Sequence, residues 1–191
     1  MREGAVLAAL SLAGVLLVGT GFARGQVFTP PRAEKLEQAA RLAMLKGLWE
    51  GSGTVVTAQG TANFRQRECV RDELDGLVHV IRGTGLPATD ESSVPVFEAL
   101  MTVHYDPGSE EFVFRSHESR GGWTADGTMR VDGGSIEWEH PAGPITTMRY
   151  RIEISGDDWH ETGTRVHLGV IERPFIELNL KRVATRCDTP S

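Results

Sequence analysis

From Leu48 to Val183 the chain is cut into short segments that alternate apolar and polar residues. Between them lies no stretch of 10–15 residues with helical periodicity. Phe97–Tyr105 is a clear case, with Phe97, Ala99, Met101, Val103 and Tyr105 on one face. Thr146–Ile154 is another, presenting Met148, Tyr150, Ile152 and Ile154 together. Turn chemistry separates the segments: Asp106-Pro107-Gly108, Asp126-Gly127, Asp132-Gly133-Gly134 and Ser155-Gly156-Asp157-Asp158. Eleven strand-like segments, starting at Leu48, Ala62, Leu77, Phe97, Glu111, Gly122, Gly127, Ser135, Thr146, Trp159 and Phe175, predict a barrel of about ten strands in hairpin order. An antiparallel meander of this length leaves two free edges, and closing into an up-and-down β-barrel removes them. The expected class is therefore all-β, one closed antiparallel barrel.

One helix is expected, over residues 32–45, ahead of the barrel. Thr29-Pro30-Pro31 suits a helix start, and Leu36, Ala39, Ala40, Ala43 and Met44 recur at helical spacing. Gly47 is expected to end it. Then comes LKGLWEGSGT, with Trp49 set among Gly47, Gly51 and Gly53. Gly51 and Gly53 share a strand face with Trp49, and are expected to leave room for the indole and let the strand bend. In the last segment Ile176, Leu178, Leu180 and Arg182 share a face, so the basic residue on the apolar side is Arg182 rather than Lys181.

A helix, then Gly-x-Trp opening the first strand, then a basic residue near the end of the last strand resembles the lipocalin-like barrels of the calycin superfamily. More narrowly, Leu42, Leu45, Gly47, Trp49, Gly51 and Gly53 resemble the opening pattern of a bacterial family of secreted lipocalin-like domains of unknown function. The resemblance covers residues 34–183. It implies a barrel of the calycin type, with Arg182 packed across the Trp49 indole as a cation–π pair that closes the floor beneath the helix. It carries over no reaction. Haem-binding barrels are related to this group, but no histidine here maps onto an axial ligand, so haem is only an alternative and no cofactor is expected.

Residues 1–25 read as a signal peptide: Arg2, an apolar block from Ala5 to Val18, then small residues Ala23 and Gly25 before Gln26. An uncleaved membrane anchor is the alternative. The mature part, 26–191, is expected to be one domain, with the barrel at 48–183 and a tail at 184–191. Export to the periplasm or outside the cell suits the lone pair of cysteines, Cys69 and Cys187, which would form one disulfide tying the tail to the barrel wall. Two unrelated thiols are the alternative. The net charge of −6 argues against a nucleic-acid partner, and no Lys/Arg run marks an anionic-lipid patch.

The chemistry-bearing residues converge less sharply. No metal-pair spacing joins the six histidines, and neither a nucleophile elbow nor a phosphate loop is present. The most polar interruption is FRSHESRGGW, so Arg115, His117 and Glu118 are expected at the barrel mouth, orienting a ligand's polar head. Met101, Phe114, Trp123, Trp138, Met148 and Tyr150 are expected to line an apolar interior, with Met101, Trp138 and Tyr150 the chosen wall residues. His79 and His140 are expected as satisfied core or rim histidines. The expected function is capture of a small apolar or amphipathic molecule inside the barrel. The alternative is a small enzyme using a His/carboxylate acid–base pair there.

Overall fold

The computed structural model describes residues 32–89 and 94–187; the expected signal peptide lies outside them. The chain forms a short helix, α1 (Arg32–Ala40), a 3₁₀ turn (Ala43–Leu45), and ten strands. These are β1 (Gly47–Thr57), β2 (Gly60–Glu73), β3 (Val78–Pro87), β4 (Phe97–Asp106), β5 (Glu111–Glu118), β6 (Thr124–Asp132), β7 (Ser135–Pro141), β8 (Thr146–Ser155), β9 (Asp158–His167) and β10 (Ile171–Ala184). Each strand pairs antiparallel with its sequence neighbour, and β1 also pairs with β10, so the sheet closes on itself. Closure leaves no strand edge unpaired, which is the solution the meander pattern calls for.

Three sequence expectations change. The helix is not continuous to residue 45: it ends at Ala40 and restarts as the 3₁₀ turn, which lets Leu42 and Leu45 plug the barrel. Gly47 does not end a helix but opens β1, at φ +122, where a Cβ would lie 2.4 Å from the Ala184 carbonyl oxygen. Asp126-Gly127 is not a turn either. Both residues sit inside β6, opposite Arg115 and Phe114. A Cβ on Gly127 would come within 2.9 Å of the Phe114 ring, so this glycine clears space for a core aromatic.

The helix end of the barrel is closed by side chains. Leu42, Leu45 and Trp49 are essentially fully buried, in one core with Val103, Tyr105, Phe112, Val131 and Trp159. Trp49 donates from Nε1 to the Leu45 carbonyl at 2.8 Å and meets Trp159 edge-on, ring centroids 5.4 Å apart. Trp49 pairs with Arg182 across the β1/β10 seam, and the guanidinium lies 4.1 Å from the indole centroid. Its remaining N–H groups reach the carbonyls of Met44 and Lys46 and the Asp157 carboxylate. One side chain thus joins the first strand, the last strand and the plug.

The glycines beside Trp49 clear close approaches from neighbouring strands. The atoms nearest a Cβ on Gly51 belong to the β10 backbone, with the Asn179 oxygen 2.1 Å away. Those nearest a Cβ on Gly53 are in the Phe64 ring (2.3 Å) and the Leu178 side chain. The nearest neighbours of these two positions are therefore β10 and Phe64.

The disulfide joins Cys69 on the outer face of β2 to Cys187 in the tail. No helix among the described residues is long and apolar enough to cross a membrane.

Candidate functional site

The plug fills only the helix end. Above it the barrel encloses a cavity of about 550 Å³, within the range of small-molecule pockets. Strand direction fixes its axis: Gly47 and Ala184 stand at the plugged end, Thr57, Pro87, Phe97, Glu118, Pro141 and Ile171 at the other. The cavity wall runs from Trp159, Phe114 and Ile152 near the plug, past Met101, Trp138 and Tyr150, to Glu118, Trp123, His140, Arg165 and Phe175 at the mouth.

The aromatic wall follows from register. Trp138 stands opposite Tyr150, and Tyr150 opposite Gly163. Cross-strand neighbours on one face stack, and the two rings lie 4.9 Å apart and 4° from parallel. A Cβ on Gly163 would lie 2.6 Å from the Phe175 ring, so the glycine lets that ring swing in, edge-on to Tyr150 at 5.6 Å. At the mouth, Trp123 stacks on His140 at 5.2 Å, and Arg165 lies over Phe175 at 5.0 Å. Exposed apolar side chains ring the same end, among them Val56, Val96, Ile145, Val170 and Ile171.

Of the residues chosen from sequence, Met101, Trp138, Tyr150 and Glu118 line the cavity. Phe114 and Trp123 also line it, whereas Met148 is buried but outside the lining. Arg115 and His117 are not in the cavity. In β5 the buried residues are Phe112, Phe114 and Ser116, so Arg115 and His117 alternate outward. Arg115 is spent on a two-pronged pair with Asp126 (2.6 and 3.1 Å), and His117 on Thr124. Glu118 accepts the backbone N–H groups of Arg120 and Gly121 at 2.6 and 2.7 Å. It therefore shapes the β5–β6 loop that carries Trp123.

The deep end holds groups not singled out from sequence: Gln66, Glu68 and Glu161. All three are buried (3%, 7% and 7% exposed). The Gln66 amide donates to Glu68 at 2.5 Å, and Trp159 Nε1 donates to Glu161 at 3.1 Å. No described ion pair reaches either carboxyl. Burial pushes Glu68 up to about 7, against the pull of the Gln66 hydrogen bond. Burial, with the nearby Glu68, pushes Glu161 up to about 8. Gly83 stands opposite Glu68, and a Cβ there would lie 2.7 Å from its carboxylate oxygen, so the glycine makes the room the carboxyl occupies. A signal for Glu68 was present: Arg65, Arg67 and Arg71 mark the outer face of β2, which sends Phe64, Gln66, Glu68 and Val70 inward.

The two buried histidines differ. His140 Nδ1 faces the Pro141 carbonyl at 3.1 Å, while its buried Nε2 has no hydrogen-bond partner. His79 lies beneath α1, with Nε2 2.9 Å from the Ala39 carbonyl and Nδ1 2.9 Å from Asp72, itself paired with Lys46. Burial pulls His79 below its ordinary pKa. This His–carboxylate pair joins helix to barrel and lies outside the cavity lining.

No protein-family model and no curated protein sequence matches this chain. Among solved structures it is similar to Rv2717c from M. tuberculosis, with a TM-score of 0.57 and 14% identity over 75% of this chain and 95% of that one. At that identity the likeness establishes a shared antiparallel barrel fold.

Proposed function

We propose that this protein is a binding barrel that takes up a small amphipathic molecule through the mouth opposite the helix. The observation that carries this reading is the 550 Å³ cavity, walled by Met101, Trp138, Tyr150 and Phe175 and ending on buried polar groups. Close packing for stability alone leaves few voids larger than a water molecule; this barrel is filled only at the helix end. The apolar rim supports entry of an apolar body, and the expected exported location fits a carrier or scavenger.

Titration with the neutral fluorescent probe N-phenyl-1-naphthylamine tests it. Saturable binding to the wild-type protein is expected, with loss of binding in Ala99→Trp, which places an indole in the cavity. Circular dichroism and thermal melting establish that the variant stays folded. Equal binding by wild type and a folded Ala99→Trp, or none by either, overturns the reading.

An acid–base enzyme is less well supported. Among the described residues no hydrogen bond joins a cavity histidine to a cavity carboxyl.

A further inference from the structure

The base of the cavity offers hydrogen-bond acceptors with too few donors. Glu68 and Glu161 each receive one hydrogen bond, from Gln66 and from Trp159. Gln66, having given its amide N–H to Glu68, keeps a buried Oε1 with no partner. These three side chains line the same cavity. A buried carboxylate without a countercharge is costly, and so is a buried carbonyl without a donor.

Two arginines, Arg120 and Arg165, line the cavity, but no ion pair among the described residues brings either to Glu68 or Glu161. The lining residues from β1, β3, β4 and β10 are apolar or glycine: Val55; Ile81 and Gly83; Phe97, Ala99 and Met101; Phe175, Ile176 and Leu178. The other titratable lining groups are Glu118 on β5, His140 on β7, Tyr150 on β8, Arg165 on β9 and Arg120 in the β5–β6 loop. Arg165 lies over Phe175 at the mouth end of β9, two turns of the pleat from Glu161. A primary ammonium group has three N–H donors and one positive charge, and accepts nothing. It matches two carboxylates and one amide oxygen in number and in sign. The aromatic faces of Trp138, Tyr150 and Trp159 favour a cation further.

We infer that the barrel selects amphipathic primary amines, the ammonium group seated on Glu68, Glu161 and Gln66 and the apolar body lying along the Trp138–Tyr150 wall. This rests on the binding reading above and narrows it. Without the amine, burial favours the protonated carboxyls, in line with their raised pKa values of about 7 and 8. Seating the ammonium releases a carboxyl proton, so binding tightens as pH rises.

The test is calorimetric titration with octylamine, 1-octanol and octanoate at pH 6 and pH 8.5, in moderate salt. Octylamine is expected to bind more tightly than octanol or octanoate at pH 8.5. Its affinity is expected to rise about tenfold from pH 6, the gain in ionised fraction of one carboxyl with a pKa near 7, while octanol stays flat. Glu68→Gln and Glu161→Gln should each weaken octylamine at least tenfold and leave octanol within twofold. Glu137→Gln, on the outer surface, should change neither. Octanol binding as tightly as octylamine, octanoate preferred, or an equal loss of octanol and octylamine in the Gln variants overturns the amine inference and leaves the cavity reading standing. If neither octanol nor octylamine binds, the cavity reading falls with it.

Discussion

Replacing Arg182 by Ala should cost about 3–5 kcal/mol of folding stability, which follows from what the guanidinium touches. Its side chain is only 16% exposed. It lies 4.1 Å from the Trp49 centroid, a desolvated cation–π contact of about 1–2 kcal/mol. It donates to the carbonyls of Met44 and Lys46, each a charge-assisted bond of about 1.5 kcal/mol or more, and each left without its donor by the truncation. The Asp157 pair is on an exposed carboxylate and adds little. In a domain of this size the loss should lower Tm by about 10 °C. Arg182→Lys separates charge from shape. An ammonium keeps the cation over the ring but cannot fork to two carbonyls, so about half the loss should remain. Urea unfolding followed by tryptophan fluorescence reads both. A loss below about 1 kcal/mol for Arg182→Ala, or wild-type stability for Arg182→Lys, would refute the claim that this residue locks the seam.

Other consequences are open to the same measurements. Glu68 is protonated in both states below its unfolded value of 4.5, and ionised in both above its folded value of about 7. Stability should therefore fall as pH rises between those limits, by about 3 kcal/mol in all, and Glu161 extends the decline towards pH 8. Glu68→Gln should flatten that slope and match or exceed wild type at pH 8; a variant less stable than wild type at pH 8 contradicts the reasoning. Reduction of Cys69–Cys187, or Cys187→Ser, removes a crosslink spanning 118 residues, worth at most about 5 kcal/mol by chain entropy. A drop in the urea midpoint is expected with the barrel's β-sheet circular dichroism intact; an unchanged midpoint would mean the tail contributes nothing.

The barrel was legible because its evidence is local and repeated. Alternation of apolar residues needs no knowledge of partners, and the Trp49–Arg182 closure could be placed once Arg182 was assigned to the apolar face. The site was less legible, for reasons particular residues make plain. Arg115, His117 and Glu118 are near neighbours and polar, yet a strand sends adjacent residues to opposite faces, and of the three only Glu118 shares a side with Phe114. Asp126-Gly127 has the composition of a hairpin turn. Its glycine answers instead to the Phe114 ring on the next strand, a constraint no local window contains. Glu68 sat in a segment with three outward arginines, and its inward phase was there to be read. Its meaning depends on Glu161, more than ninety positions away and brought to the same cavity only by barrel closure.

The two ends of the barrel differ in how they are filled: side chains close the helix end, and the cavity occupies the rest. At the helix end the indole N–H is met by Leu45, the guanidinium by two carbonyls and His79 Nε2 by Ala39, and Asp72 lies 2.9 Å from His79 Nδ1. Deep in the cavity, and toward the mouth, the same chain leaves a buried amide oxygen and an imidazole nitrogen without partners, and holds two carboxyls that burial disfavours. Substituting apolar residues for Gln66, Glu68 and Glu161 would relieve that cost and fill the cavity, so stability alone gives no reason for them. Departures of this kind from well-satisfied packing concentrate where a protein meets its ligand. The stabilising Arg182 and the destabilising Glu68 flank the same Trp49, on either side of β1. A single tryptophan therefore stands between the plug that holds the barrel together and the cavity lined by Glu68.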